Sequence, residues 1–219
     1  MFGGGLLRRA RILDDISFSL AKGDRLGIVG SNGAGKSTLL KTLGGILHPA
    51  EGVLNVEGQV SALFNISLGT RPNSSGRTNI ILRNLIEGRS IKEIRDKLPS
   101  IIEFADLGEK IDYPMEQYSA GMAMRTVFAA ATAFDPEILL LDEWIGAGDI
   151  KFRQKSRRRM KELVERSGII VMATHRKQLA LDVCNLGLHL EGGRIVYFGD
   201  IESAWASYEG ASAVVADAE

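Results

Sequence analysis

The sequence predicts an α/β domain that carries a phosphate-binding loop and a helical insertion. Three observations lead to this prediction. Short apolar runs at 25–29, 138–141 and 169–173 have the length and composition of buried strands. A glycine-rich stretch with a single lysine, GSNGAGKS, directly follows the first run. Between 78 and 107 the apolar spacing becomes that of amphipathic helices.

Before the insertion we expect four strands and one helix. The helix is expected to begin near Lys36, to bury Leu39, Leu40 and Leu43, and to end at Gly44. The strands expected here are the alternating run at 16–20, the apolar run at 25–29 that ends at Gly30, and two runs on either side of the Gly58 turn, at 53–56 and 60–63.

The insertion follows a polar loop at 70–77, TRPNSSGR, and helix is expected to resume at Ser119. Two apolar strands, each followed by a helix, then return. Two short runs around Gly192 predict a closing hairpin. The strands expected in this part lie at 138–141, 169–173, 186–190 and 194–198.

Composition excludes several classes of protein. Lys plus Arg and Asp plus Glu both number 27, so no net charge favours nucleic acid. The one cysteine, Cys184, rules out an internal disulfide and fits a reducing compartment. No apolar run reaches the roughly 18 residues of a spanning helix, and no secretory signal is evident. We therefore expect a protein of the cytosol, or one that docks on a membrane from that side.

Residues 30–37 fit the phosphate-loop pattern G-x-x-x-x-G-K-[ST] between a predicted strand and a predicted helix. Glycines let successive N–H groups point inward, and the helix N-terminus adds its dipole. Lys36 can reach β- and γ-phosphates, and Ser37 can offer an oxygen to Mg²⁺. The nucleotide contacts expected here are Gly30, Ser31, Asn32, Gly33, Ala34, Gly35, Lys36, Ser37 and Thr38.

Two further stretches end apolar strands with polar residues. In ILLLDE, Asp142 can hold Mg²⁺ and Glu143 can polarise the attacking water. Alone, this run would be a core strand that meets solvent at an acidic turn; the phosphate loop favours the catalytic interpretation. In ATH, His175 follows another strand, where it would face the ligand crevice and could donate to the γ-phosphate.

YSAGM precedes an alanine-rich helical run. Ser119 is suited to cap that helix. Ser119, Gly121 and the helix N-terminus could also form a second phosphate-binding surface. The two interpretations are compatible.

Together these pieces resemble the nucleotide-binding subunit of ATP-binding-cassette (ABC) transporters over about 12–208. GSNGAGKST is similar to the Walker A loop, ILLLDE to the Walker B strand and YSAGM to the signature, which is typically LSGGQ. GAGD, ending at Asp149, resembles the D-loop, and His175 the switch histidine. The resemblance implies a P-loop NTPase of the ABC ATPase fold, with a mixed sheet core, an antiparallel β subdomain and a helical subdomain at about 74–134. It also implies a head-to-tail homodimer with ATP and Mg²⁺ between one subunit's loop and the other's SAGM.

WIGAGDIKFRQKS and LGTRPNSSGRTNI resemble exporters of capsule, O-antigen and teichoic acid polymers. This narrower resemblance implies a peripheral subunit on the cytoplasmic face of the inner membrane that works with an integral-membrane permease. The chain resembles the short form without a C-terminal carbohydrate-binding domain, so no direct glycan binding is expected. Residues 1–11 are expected to be an N-terminal segment whose true start is left open, and 209–219 a flexible tail.

Two departures from the family pattern leave alternatives open. Asn65 stands where the Q-loop glutamine is usual, and neither the family's first strand nor the aromatic residue that stacks on adenine is evident. The signature, which ends in Met122 rather than in glutamine, instead narrows the choice of relatives. One alternative is a soluble ABC protein of DNA repair or translation, although the coiled coil or second cassette of those groups is not evident. The others are a nucleotide-gated binding subunit with little turnover and the cassette of an importer.

Overall fold

The structure is a computed structural model that describes residues 11–64, 67, 69–143 and 150–216. The strands are β1 (Arg25–Val29), β2 (Val60–Ala62), β3 (Ile138–Asp142), β4 (Ile169–Ala173), β5 (Leu186–Glu191) and β6 (Arg194–Asp200). The helices are α1 (Lys36–Leu43), α2 (Gly76–Ile86), α3 (Ile91–Ala105), α4 (Ala120–Ala131), α5 (Ile150–Arg166), α6 (Lys177–Val183) and α7 (Ile201–Ala216). Short 3-10 turns lie at Gly108–Asp112 and Met115–Gln117.

The chain forms two compact units. The first comprises Met1–Leu54 and Met172–Glu219, and the second Asn55–Val171. The boundary between Val171 and Met172 falls within the residues of β4.

In the first unit, β1 pairs in parallel with β5, which pairs antiparallel with β6. The antiparallel pairing of β5 with β6 confirms the hairpin predicted around Gly192. α7 packs on β5, where a side chain at Gly187 would collide with Ala204. Leu26 and Ile28 of β1 are fully buried. Burial of each such side chain stabilises the fold by about 1.5–3 kcal/mol.

In the second unit, β2 and β3 pair in parallel, with Val60 opposite Ile138. α2, α3 and α4 pack against one another, which confirms the predicted helical insertion. α3 begins with a capping box in which Ser90 and Glu93 bond to each other's backbone N–H. Three phenylalanine rings, with centroids 5.6–6.1 Å apart, join α3, α4 and α5: Phe104, Phe128 and Phe152.

Two predicted strands, at 16–20 and 53–56, are not formed, so the antiparallel β subdomain is not seen in the described residues. Val53 is 97% exposed. Near the first segment, Asp14 N donates to Gly193 O and the ring of Phe18 contacts that of Phe198. Alternating side chains indicate which face of a segment can be buried, but a strand also needs a neighbour to accept its backbone hydrogen bonds.

Other predicted boundaries also differ from the structure. The helical stretch predicted at 78–107 begins two residues earlier and ends two residues earlier, as α2 and α3; they are separated near Gly88, whose φ of 80° suits glycine. A flexible tail was predicted at 209–219. In the structure, α7 continues to Ala216, so residues 209–216 of that segment are helical. Alanine, which recurs in this segment, has the highest helix propensity. Among the described residues, no helix combines the length and apolar character needed to cross a bilayer.

Cys184 is buried, and burial raises the pKa of its thiol to about 12. The thiolate, which is the reactive form, is therefore scarce at pH 8. We expect a maleimide to modify the native protein at least about 10²-fold more slowly than the protein in guanidinium, where the thiol regains a pKa near its usual ~8.5. Stopped-flow labelling at pH 8 in both states measures this. Equal rates would contradict the burial.

Candidate nucleotide site

The phosphate loop joins β1 to α1 in the first unit. Gly30 has a φ of 151°, and a Cβ there would collide with the carbonyl oxygen of Leu190 on β5. Gly33 has a φ of 84°, and a Cβ there would meet no described atom within 4 Å. Position 30 therefore requires glycine because a larger residue would collide with β5. Position 33 favours glycine because of its backbone conformation.

Lys36 is the first residue of α1 and is 9% exposed. Its Nζ donates to Gly30 O at 2.6 Å and to Ser31 O at 2.8 Å. These bonds hold the ammonium beside the loop backbone. Gly35, the N-cap, provides no side-chain cap for the N–H groups of the first turn. The lysine charge and the positive end of the helix dipole thus favour an anion at the same place.

Among the other residues at 31–38, some are exposed, and Ala34 is buried and bonded to neighbouring backbone. Ser31, Asn32 and Ser37 are exposed, while Thr38 is half-buried. Ala34 is buried, its N–H donates to Ser31 O, and its carbonyl accepts from Gly193 N at 3.1 Å. The backbone of the loop is therefore tied to the β5–β6 hairpin, while the side chains of Ser31, Asn32 and Ser37 lie at the surface.

Asp142 and Glu143 lie in the second unit, where β3 ends. The strand is buried up to Leu141, and both acidic residues are half-buried. Glu143 has a φ of 65°, a left-handed conformation that is uncommon for a residue other than glycine. Such conformations persist where surrounding structure enforces them, often at functional sites.

Ser119 caps α4, as predicted: its Oγ accepts from Met122 N at 3.2 Å. Ser119 is exposed, and a Cβ on Gly121 would approach only Ser119 Oγ, at 3.9 Å, among the described atoms. The helix N-terminus is therefore accessible to a ligand. Its role in phosphate binding stays a prediction.

His175 lies two residues beyond β4 and is exposed. Thr174 before it is buried, and its Oγ1 accepts from Arg176 N at 3.1 Å. This turn fixes the backbone on both sides of His175. Residues 30–38 and His175 belong to the first unit; Ser119, Gly121, Asp142 and Glu143 belong to the second. Asn65 and Asp149 lie outside the described residues.

Sequence reasoning missed the structural role of Asn79. This buried residue of α2 accepts from Arg71 N at 2.7 Å, and its Nδ2 lies 2.9–3.1 Å from the carbonyls of Arg71, Ser74 and Ser75. It thereby fixes the polar loop at 70–77. An amide on the inward face of a predicted amphipathic helix, next to a polar loop, is the signal that could have indicated it.

A protein-family profile described as ABC transporter matches residues 13–146. The chain belongs to the ABC transporter family. The O-antigen export system ATP-binding protein RfbE of Yersinia enterocolitica is 44% identical over 183 residues, which are 84% of this chain and 77% of RfbE.

A second relative is the teichoic acids export ATP-binding protein TagH of Bacillus cereus. It is 35% identical to this ABC protein over 90% of the chain but only 36% of TagH, so the chain spans about a third of that relative. A solved structure titled as a dimeric post-hydrolysis ATP-binding cassette, MJ0796, bound to ADP and Pi has a TM-score of 0.65 at 23% identity. The superposed residues cover 87% of this chain and 90% of the chain of the solved structure. This likeness confirms the ABC ATPase fold.

Proposed function

We propose that this chain is the ATP-hydrolysing subunit of an ABC transporter that exports a cell-surface polysaccharide or lipid-linked glycan. The observation that carries the ATPase part is the phosphate loop, in which buried Lys36 lies at the start of α1 beside the loop carbonyls. The export part rests on similarity to the ATP-binding proteins of O-antigen and teichoic acid export.

In the proposed mechanism, the loop N–H groups and Lys36 hold the β- and γ-phosphates and offset their charge. Ser37 and Asp142 offer the hard oxygen ligands that suit Mg²⁺, which would neutralise charge on the phosphates. Glu143 orients the attacking water and takes its proton, and His175 donates to the γ-phosphate. Asn65 and Asp149 complete the proposed nucleotide contacts.

The proposed active form is a homodimer. Ser119, Gly121 and the N-terminus of α4 of one subunit would bind the γ-phosphate held by the loop of the other. An exposed, capped helix N-terminus in the second unit supports this arrangement. Because hydrolysis removes the bridging γ-phosphate, the dimer should separate in ADP.

The proposed permease contact is the helical subdomain near 66–79, which includes the loop at 70–77. The turn at the other end of α2, between α2 and α3, extends this proposed surface. Arg71, Pro72 and Asn73 are exposed. An apolar patch flanks that turn: Leu85 and Ile86, at the end of α2, are 37% and 55% exposed, and Ile91, at the start of α3, is 51% exposed. Ile86 packs against Gly69, which joins the patch to the loop. Exposed apolar side chains beside a polar rim are typical of protein interfaces.

Within this proposal the chain works at the cytoplasmic face of the membrane, and substrate choice rests with the permease. The chain alone is expected not to bind the exported glycan. Titration of the purified subunit with polymer tests that division of labour, and measurable binding would contradict it.

The permease contact can be tested with single cysteines at Ser67, Arg71 and Ser74, with Cys184 replaced. In membranes that contain the co-encoded permease, we expect crosslinks from these positions because they lie on or next to the exposed loop. Gel analysis of crosslinked products provides the measurement. A cysteine at exposed Glu165 on α5 is the matched control. Crosslinks from the control alone would overturn the proposed contact.

A further inference from the structure

The helix α5 carries a dense cluster of positive charge. Residues 151–161 contain seven Lys or Arg side chains and no Asp or Glu. Because the whole chain has 27 basic and 27 acidic residues, the chain outside this stretch has 20 basic and 27 acidic residues. The positive charge of a chain with no net charge is therefore concentrated on one helix.

Two of these cations have structural partners at the end of α3. Lys155 Nζ donates to Phe104 O at 3.0 Å and lies 4.5 Å from the centroid of the Phe104 ring. The Cζ atom of Arg159 lies 4.6 Å from the same centroid. The aromatic ring attracts both cations, and the C-terminal end of the α3 dipole favours positive charge beside it. Packing within the fold therefore accounts for Lys155 and Arg159.

Four other cations form an exposed basic face: Lys151, Arg157, Arg158 and Lys161. The opposite side of α5 buries Phe152, Ser156 and Met160. The side chains of Arg158 and Lys161 are 86% and 75% exposed, and their ion pairs with Glu162 and Glu165 contribute little to stability. The charges of this basic face are thus available to a partner.

The cluster destabilises the helix that carries it. Like charges four positions apart repel on a helix surface. Both members are basic at positions 151 and 155, 153 and 157, 155 and 159, and 157 and 161. The first turn of α5 also has no acidic residue to offset the positive end of the helix dipole. Helix stability therefore does not explain the cluster, whereas an anionic partner would relieve the repulsion.

We propose that the basic face of α5 docks on the anionic lipid headgroups of the cytoplasmic leaflet. Such a leaflet has a negative surface potential that attracts clustered Lys and Arg. The inference rests on the proposed function, which puts the chain at this surface. In the same unit, α3 begins at Ile91 in the proposed permease contact and ends beside α5, and its 15 residues span about 22 Å. One compact unit can therefore contact the permease and the lipid next to it.

The surroundings of the basic face favour lipid over nucleic acid. The ring of Phe152 on α5 and the ring of Phe104 that packs on it are 4% and 8% exposed. These rings are therefore not available to stack on bases, which is a main source of affinity for single strands. Docking on lipid headgroups needs only the exposed charges.

Flotation of the purified chain with vesicles tests the contact. We expect binding to equal parts of phosphatidylglycerol and phosphatidylcholine, and at least about tenfold weaker binding to phosphatidylcholine alone. Binding should also weaken between about 0.1 M and 1 M salt, where the screening length falls from about 10 Å to about 3 Å. Equal binding to both kinds of vesicle, or tighter binding to duplex DNA than to the anionic vesicles, would overturn the proposal.

Substitutions assign the binding to α5. A combined Arg157→Gln, Arg158→Gln and Lys161→Gln variant should bind the anionic vesicles at least about tenfold more weakly, because each cation near such a surface strengthens binding roughly fivefold. It should keep the basal ATPase rate and unfold at no lower temperature than the wild type, since repulsion within α5 is relieved. The matched control replaces three exposed lysines elsewhere, Lys22, Lys41 and Lys110, with Gln and should bind as the wild type does.

A charge-conserving variant separates charge from side-chain shape. Arg157→Lys, Arg158→Lys and Lys161→Arg together should bind anionic vesicles as the wild type does. Loss of binding in this variant, or wild-type binding in the Gln variant, would overturn the lipid contact. If vesicle binding depends on α5 but Lys36→Ala retains wild-type hydrolysis, the proposed ATPase function fails and the lipid contact stands.

Discussion

Replacing Glu143 with Gln is expected to lower ATP hydrolysis by about 10²-fold or more while nucleotide binding persists. The amide keeps the size and hydrogen bonding of the carboxylate but cannot accept the proton of the attacking water. Glu143 lies at the end of β3 in a left-handed conformation, so substitution for a side chain of the same shape leaves the backbone turn intact. Phosphate release from the purified variant provides the measurement.

The same Glu143→Gln variant should accumulate as a dimer in ATP and separate in ADP. The unhydrolysed γ-phosphate would keep contacting Ser119 and Gly121 across the dimer. Light scattering with each nucleotide measures the mass. Glu165→Gln, on the exposed face of α5, should hydrolyse ATP at the wild-type rate and show no lasting dimer. A mass that does not respond to ATP would overturn the proposed homodimer.

Replacing Lys36 with Ala is expected to abolish hydrolysis and to weaken nucleotide binding at least about tenfold, which corresponds to about 1.4 kcal/mol. The ammonium lies beside the loop carbonyls at the start of α1. In the proposed mechanism it attracts the β- and γ-phosphates in a partly desolvated site, so its removal weakens binding and stops hydrolysis. Titration with a fluorescent ATP analogue and a phosphate-release assay measure both effects.

Lys41→Ala is the matched control for Lys36, because Lys41 is exposed in the last turn of the same helix. It should bind and hydrolyse ATP as the wild type does. Circular dichroism tests whether Lys36→Ala still folds after loss of the hydrogen bonds to Gly30 O and Ser31 O. Wild-type turnover in the folded Lys36→Ala variant would contradict the assigned site.

Local patterns predicted much of the fold. The run at 169–173 matches β4 at both ends, and Ser119 caps α4 as expected. These features depend on burial pattern and capping chemistry, which neighbouring residues contain. The predicted strands at 16–20 and 53–56 did not form, since strand formation depends on a pairing partner elsewhere in the chain.

The candidate site divides in the same way. By itself, the sequence determined the phosphate loop and the acidic end of β3, because phosphate binding needs glycines, one lysine and a hydroxyl at fixed spacing next to a strand and a helix. Only the tertiary structure decided that Asn79 fixes the loop at 70–77 and that Gly76 contacts Tyr118 beside Ser119. The Asn79 bonds span only four to eight positions, but they form because α2 packs on α4 with Asn79 on its buried face. Gly76 and Tyr118 are far apart along the chain, and no local spacing encodes their contact.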